Sequence, residues 1–277
     1  MNKLIIRIIL LFVLLAKYYE FSDVFSSSQR LIELTGSLKL FVKTKLNDLE
    51  NENENFKKIG ENLRYLNDQA QKNTYEFTGN PVNCFLLIKA FTKDLEDYFN
   101  KTKILDDFIN EYYLPTNEDY EGTILSIYRL QDTYSLSPSD LQNKSISTKF
   151  PSIRALTAFE CFEIGRVAYE NKNYFHSIQW LNESFAQLKN EVDKPTIDEI
   201  KIIKYYALAN AQQGNIKDVV ELLKRVNDVE PSLDIVEQSF KIVLDKIAKY
   251  KNETQNDSNV EKSHKFSKAM QRRLFTL

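Results

Sequence analysis

Two stretches of the chain share one pattern of apolar, small and turn-forming residues. Residues 164–181 read IGRVAYENKNYFHSIQWL, and residues 206–223 read YALANAQQGNIKDVVELL. In each, apolar and small residues three and four positions apart are interrupted once by a polar segment, around Asn173 and Asn215. This spacing is typical of amphipathic helices, and a polar break between two of them indicates a tight turn. The sequence therefore predicts a repeated pair of antiparallel helices.

The repeat predicts a small helical array. Asn173 and Asn215 are equivalent, so the period is 42 residues, whereas a tetratricopeptide unit has about 34. The extra length lies around 189–198, and Pro231 closes the second unit. With one more amphipathic helix at 232–250, residues 152–250 are predicted to form about two and a half tetratricopeptide-like repeats. Such arrays present a concave binding face; a helical domain that serves packing alone is the alternative.

The residues before this array are also helical in pattern. Apolar residues recur at steps of three and four in two stripes: Leu31, Leu34, Leu38 and Phe41, then Phe56, Ile59, Leu63 and Leu66. The polar run 51–55 separates the two stripes, as a helix interruption or a hinge would. This coiled-coil-like spacing fits a hairpin within one chain and fits pairing with a second copy, and spacing alone does not choose between them.

More helices follow before the repeats. Asn80 and Pro81 are expected to start one, because Asn is a good N-cap and Pro fits the first turn. Its stripe continues to about Asn100, a further helical run ends near Pro115, and another helix covers about 118–134. The run 137–151, with two Pro and five Ser or Thr, is predicted to be a linker. The predicted fold class is all-α, with helical domains at 17–136 and 152–250.

Composition excludes several functions. The chain has 277 residues, 37 Lys plus Arg and 39 Asp plus Glu, and this balance argues against a nucleic-acid binder. Only 6 Gly and 6 Pro argue against an all-β fold and a Gly-rich phosphate loop. Two Cys and two His leave little for a metal site or acid–base chemistry. The polar residues 251–277 are expected to be a solvated tail or linker.

The first residues predict the secretory pathway. Residues 1–16 combine an early Lys3, a short apolar run and Ala16, the pattern of a cleaved signal peptide rather than of a membrane-spanning helix. Five Asn-x-Ser/Thr sequons agree with a glycoprotein: Asn100, Asn143, Asn182, Asn252 and Asn256. An uncleaved anchor is the alternative. We expect no contact with the membrane after signal cleavage.

Several motifs, taken in order, resemble a known family. They are Gly79-x-Pro81-Val82-Asn83-x-Phe85, Arg129-Leu130-Gln131-Asp132-Thr133-Tyr134, Leu156-Thr157-Ala158, Cys161-Phe162-Glu163-x-Gly165-x-Val167-Ala168-Tyr169 and Gln212-Gln213-Gly214. The series is similar to the N-terminal half of the α subunit of collagen prolyl 4-hydroxylase. The resemblance implies a dimerisation domain at 17–136, a peptide-substrate-binding domain at 152–250, self-association and residence in the lumen of the endoplasmic reticulum. It also implies protein disulfide isomerase as a partner.

The resemblance also indicates what the catalytic chemistry of the family would require. The family's C-terminal domain uses Fe(II), 2-oxoglutarate and ascorbate, with iron held by a His-x-Asp motif and a distant His. Neither His176 nor His264 begins such a motif, and the sequence stops at Leu277, where that domain would start. We therefore expect no catalytic residues, no metal ligands and no cofactor in this chain. The resemblance is to a procollagen-proline 4-dioxygenase, and this chain is expected to be inactive alone.

The groove of the family can be compared residue by residue. Its tyrosines hold proline-rich peptides in the polyproline II form, and Tyr205 and Tyr169 match aromatic positions there. Leu208 stands where the best-known members have Tyr. The last helix carries Ile235, Ser239 and Ile242 where the family supplies Arg, Asn and Tyr, so weak binding of collagen-like peptides is expected. A stand-alone lumenal peptide-binding or scaffold protein with an altered groove is the alternative function.

Other conspicuous residues are expected to have structural roles. His176 and Trp180 are predicted to pack inside the repeat, and Cys161 to behave as a small apolar residue. A Cys84–Cys161 disulfide in an oxidising lumen is the alternative for the two thiols.

Overall fold

The computed structural model of the chain describes residues 27–52, 54–96, 114–142, 150–191, 194–215 and 219. The predicted signal peptide, the helical run before Pro115, the helices after Gly214 and the tail at 251–277 lie outside these residues. The described part contains helices and turns and no strand, so the predicted all-α class is confirmed. None of the described helices is both long enough and apolar enough to cross a bilayer. The chain divides into two compact units, Met1–Ala155 and Leu156–Leu277.

The first unit begins with three helices that fold back on one another. They are α1 (Ser28–Thr44), α2 (Leu46–Glu52) and α3 (Glu54–Lys72). The predicted stripes lie inside this bundle, with Leu34, Leu38 and Leu63 almost wholly buried. Of the two alternatives left open by the spacing, the structure therefore shows intrachain packing. Self-association stays a prediction, and it no longer rests on this seam.

An ion pair joins α2 to α3 across a glycine. The Glu50 carboxylate accepts two hydrogen bonds from the Arg64 guanidinium, one of them at 2.7 Å from Nη2. The carboxylate crosses α3 directly over Gly60, where a Cβ atom would collide with it. Gly60 therefore serves close approach of the two helices, and the bidentate geometry makes this pair stronger than an ordinary surface pair.

The next helices start as the sequence predicts and continue differently. A short helix α4 (Thr74–Thr78) leads into α5 (Pro81–Lys89), capped by the Asn80 side chain. The predicted continuous helix toward Asn100 is wrong in detail, because Ala90–Asp94 adopts π-helical geometry. The wider turn brings Lys89 beside Asp94, with Nζ and Oδ1 2.6 Å apart. The π turn thus gives the buried Lys89 side chain an ion-pair partner, and a buried charge without a partner is costly.

The first unit is closed by α6 (Asn117–Tyr134), α7 (Pro138–Gln142) and an irregular segment at 150–154. α7 lies in the stretch predicted as a linker. Asn83 on α5 binds this segment at two points. Its Nδ2 donates to the Pro151 carbonyl at 3.1 Å, and its Oδ1 accepts from the Ile153 amide at 2.9 Å. The Phe150 ring covers Gly79, where a Cβ would collide with it. Gly79 and Asn83, both in the quoted motif, therefore anchor this segment.

The second unit consists, in its described part, of α8 (Ala158–Glu170), α9 (Tyr174–Asn190) and α10 (Glu199–Gln213). The predicted first repeat, a helix–turn–helix, and the first helix of the second repeat are therefore present. α8 and α9 cross at Gly165, where a Cβ would lie 2.8 Å from Cγ of Leu181. Trp180 is fully buried, as predicted. The small residue thus permits the close helix contact that the repeat pattern requires.

The extra residues of the 42-residue period have a structural role. Glu191, just after α9, accepts a hydrogen bond from the Ala158 amide at 2.8 Å and one from the Thr196 amide at 2.7 Å. Thr196 in turn accepts from the Phe159 amide at 3.1 Å. The longer connection therefore caps the N-terminus of α8, whose first amides have no partner within the helix.

Candidate functional site

Two helices of the second unit carry aromatic side chains toward one another. Phe162 and Tyr169 stand two turns apart on α8, about 10 Å along the helix axis. Tyr205 on α10 meets both rings edge-on, with centroids 5.4 Å from Phe162 and 5.6 Å from Tyr169. The two residues predicted as site residues, Tyr169 and Tyr205, are therefore in direct contact.

The row of rings extends beyond these three residues. Phe159 lies 6.4 Å from Phe162, and Tyr174, at the start of α9, lies 5.6 Å from Tyr169. We call these five residues, Phe159, Phe162, Tyr205, Tyr169 and Tyr174, the aromatic row. Phe162 is buried, and the other four are at least partly open to solvent. The row is therefore anchored in the core by Phe162, and its other rings offer surface that a ligand can reach.

The aromatic row is flanked by one charged cluster on α8. The Arg166 guanidinium donates to Glu163 at 2.9 Å and to both oxygens of Glu170 at 2.7 Å. These hydrogen bonds raise the pKa of Arg166 above its usual value, the contribution of Glu163 being the largest. The three residues are one turn apart and form a stripe along α8, and Arg166 lies one turn from both Phe162 and Tyr169.

Both tyrosine hydroxyls of the site are held in the neutral form. Burial, followed by the negative charge of Glu170, raises the pKa of Tyr205. Burial also raises the pKa of Tyr169, while a hydrogen bond with the Gln212 side chain opposes the shift. Neutral phenols can donate a hydrogen bond to a carbonyl oxygen. The site thus offers ring faces and hydroxyl donors side by side.

Sequence reasoning found part of this site and missed the rest. It missed Phe159, Phe162, Tyr174, Arg166 and Gln212 as members of one surface, although the seven-residue step from Phe162 to Tyr169 signals a shared helix face. Leu208, predicted to lie at a groove position, is 7% exposed and belongs to the core. Ile235, Ser239 and Ile242 lie outside the described residues.

His176 and both cysteines are engaged in packing. His176 is buried, and its Nδ1 lies 2.9 Å from Oδ1 of Asn173, as a packing histidine requires. Cys84 and Cys161 are both buried free thiols, so the structure does not contain the alternative disulfide. Among the described residues, no three His, Cys, Asp or Glu side chains are grouped to hold a metal ion.

Comparison with known families matches both units. Residues 25–148 match the family model for the prolyl 4-hydroxylase alpha-subunit, N-terminal region, and residues 158–249 match that for the prolyl 4-hydroxylase peptide-substrate-binding domain. The aromatic row lies within the second match. The three helices that carry the row therefore belong to a domain whose family is described as peptide-substrate-binding.

Individual relatives agree with these matches. The chain is 34% identical over 186 residues to prolyl 4-hydroxylase subunit alpha-2 of Caenorhabditis elegans, covering 61% of the chain and 34% of that relative. It is 32% identical over 211 residues to subunit alpha-1 of Rattus norvegicus, covering 72% and 38%. For subunit alpha-1 of Gallus gallus, identity is 30% over 256 residues, covering 87% and 48%. The chain thus spans between a third and a half of these relatives, and it belongs to the family of prolyl 4-hydroxylase α subunits.

Proposed function

We propose that this chain recruits proline-rich peptides for a procollagen-proline 4-dioxygenase, acting as the non-catalytic, N-terminal part of its α subunit. The observation that carries the proposal is the contact of Tyr205 with Tyr169 and Phe162 across α8 and α10. A polyproline II helix repeats every three residues, about 9 Å. The roughly 10 Å step between Phe162 and Tyr169 along α8 fits one such turn.

The chemistry of the aromatic row suits this ligand. Proline has no amide hydrogen, so a polyproline II segment offers pyrrolidine rings and bare carbonyl oxygens. Ring faces pack on the pyrrolidines, and the neutral hydroxyls of Tyr169 and Tyr205 can donate to the carbonyls. Neither interaction needs a metal ion. We therefore propose that peptide binding here requires no cofactor and is unchanged by a chelator.

The setting of this function is also part of the proposal. We propose residence in the lumen of the endoplasmic reticulum, self-association, and assembly with protein disulfide isomerase. The signal-peptide pattern of residues 1–16 supports the location. Membership of the family supports assembly, which stays a prediction until tested by co-purification of the full chain with the isomerase.

A second candidate is a lumenal peptide-binding or scaffold protein whose groove is altered. Leu208 favours it, because the family resemblance predicts a groove tyrosine at this position, whereas Leu208 is a buried apolar residue. This candidate uses the same surface with another peptide. A panel of proline-rich and unrelated peptides would therefore distinguish the two functions by preference.

The test is a calorimetric titration of the full chain with a Pro-Pro-Gly peptide. We expect weak, measurable binding that Tyr205→Ala reduces by roughly ten- to seventyfold, since a lost aromatic contact and a lost hydrogen bond together contribute about 1.5–2.5 kcal/mol. Tyr134→Ala is the matched control, because that ring is exposed on α6 in the other unit. Binding unaffected by Tyr205→Ala would place the peptide elsewhere and contradict the proposal.

A further inference from the structure

The charged cluster beside the aromatic row presents carboxylate oxygens rather than donors. Arg166 donates through Nε and Nη2 to Glu163 and through Nη1 to Glu170. Most of its five N–H groups are therefore engaged within α8. Two carboxylates face one guanidinium, which leaves the cluster with one net negative charge. A ligand arriving at this cluster meets hydrogen-bond acceptors and a negative potential.

Of the two carboxylates, Glu170 is the accessible one. Its side chain is 47% exposed, whereas that of Glu163 is 12% exposed. Glu170 follows Tyr169 directly in α8. It is also the charge that acts most strongly on the Tyr205 hydroxyl, ahead of Arg166 and Glu163. Glu170 thus lies at the rim of the aromatic row, close to its two central tyrosines.

Other charged residues lie near the row as well. On α10, Lys201 stands one turn before Tyr205, with Asp198 and Glu199 beside it at the start of that helix. Lys172 lies in the turn after α8. The charges that act on the Tyr205 hydroxyl, however, all come from the α8 cluster. Glu170, Arg166 and Glu163 are therefore the charged neighbours of the Tyr205 hydroxyl.

A purely proline-rich ligand leaves this feature unused. Prolines supply no N–H group to a carboxylate, so Glu170 gains nothing from a segment made only of proline and its carbonyls. A lysine or arginine next to the prolines would reach the carboxylate while the pyrrolidines pack on the rings. We propose that the peptide bound along the aromatic row carries a basic side chain beside its prolines and that Glu170 selects it. This inference rests on the proposed peptide-binding function.

The experiment compares three peptides of equal length with the full chain. All are built on Pro-Pro-Gly triplets, and the central triplet is Pro-Pro-Gly, Pro-Lys-Gly or Pro-Glu-Gly. At low ionic strength, the lysine peptide should bind roughly three- to fivefold more tightly than the neutral one, the range of a good solvent-exposed ion pair. The glutamate peptide should bind most weakly. The preference should vanish in roughly 1 M salt, where the Debye length is about 3 Å.

Variants assign the preference to one residue. Glu170→Gln should bring the lysine and neutral peptides to the same affinity while leaving binding of the neutral peptide intact. Glu33→Gln is the matched control, since it removes a carboxylate from an arginine–glutamate pair on α1 of the other unit and changes net charge equally. That variant should keep the full preference. Circular dichroism of each variant checks that the helices are retained.

The outcomes separate this inference from the function on which it rests. If all three peptides bind equally and Tyr205→Ala still weakens binding, the charge selection is wrong and the peptide-binding function stands. If the preference survives Glu170→Gln, another residue selects the basic side chain and the assignment is wrong. If none of the peptides binds at millimolar concentration, the proposed function fails and this inference fails with it.

Discussion

The ring of Tyr205 meets the ring of Tyr169 edge-on, with their centroids 5.6 Å apart and their planes at 85°. The two residues belong to consecutive repeat units, on α10 and α8. Their contact holds the first helices of the two repeats together and presents two hydroxyls on one surface. It therefore contributes to folding of the second unit as well as to the proposed binding surface, and both roles can be tested.

Alkaline pH should destabilise the second unit through these tyrosines. The pKa values of Tyr169 and Tyr205 are raised by burial above the ordinary 10. A raised pKa means that the stabilisation is complete below pH 10 and is lost as the pH rises through the higher folded-state value. Thermal unfolding between pH 8 and 11 should show a smaller loss for Tyr205→Phe than for the parent chain. Tyr134→Phe, which changes an exposed ring, should lose as much as the parent.

Two helical glycines should respond in opposite directions to alanine. Gly165→Ala forces a Cβ to 2.8 Å from the Leu181 side chain and 3.2 Å from its backbone nitrogen, so unfolding free energy should fall by about 1–3 kcal/mol. Gly36→Ala on α1 meets nothing within 4 Å and should raise it by up to about 1 kcal/mol. Chemical denaturation measures both. Equal effects of the two substitutions would contradict the close crossing of α8 and α9.

Loss of the Asn83 side chain should release the segment at 150–154. Asn83→Ala removes hydrogen bonds to the Phe77 and Pro151 carbonyls and from the Ile153 amide. Buried groups left without partners cost about 1–3 kcal/mol each, and we expect a total of about 2–4 kcal/mol. Proteolysis near residue 150 should accelerate, as followed by mass spectrometry. Thr133→Ala, which removes an exposed hydroxyl bonded within α6, should change neither measurement appreciably.

Thiol chemistry should find both cysteines reduced and protected. Burial raises the pKa of the Cys84 thiol to about 12, and the thiolate is the reactive form. A thiol reagent at pH 8 should therefore label neither cysteine in the folded chain, and both after unfolding without reductant. Labelling of neither residue after unfolding would reveal a Cys84–Cys161 disulfide instead. Since the raised pKa also implies lost stability between pH 9 and 12, Cys84→Ala should flatten the alkaline unfolding profile.

Local features of the fold could be predicted from the sequence because local residues produce them. Helix α6 and helix α8 begin where Thr116 and Thr157 make capping boxes with Asp119 and Glu160. The crossing at Gly165 and the burial of Trp180 follow from the repeat pattern. The motif Gly79-x-Pro81-Val82-Asn83 correctly predicted the start of α5. Its contact with the segment at 150–154 could not be predicted, because that segment lies far along the chain.

The sequence by itself determined which residues form helices and which faces of those helices are apolar, since both depend on spacing along one segment. Only the tertiary structure decided what each face meets. The spacing of the stripe that contains Leu34 and Leu38 fits packing within the chain and pairing with a second copy equally well. In the structure, α3 folds back and the stripe packs within the chain. Likewise, Tyr169 and Tyr205 became one surface with Phe162 only when α10 packed beside α8. Contacts of this kind depend on how distant segments fill a common core, and periodicity along the chain carries no information about that.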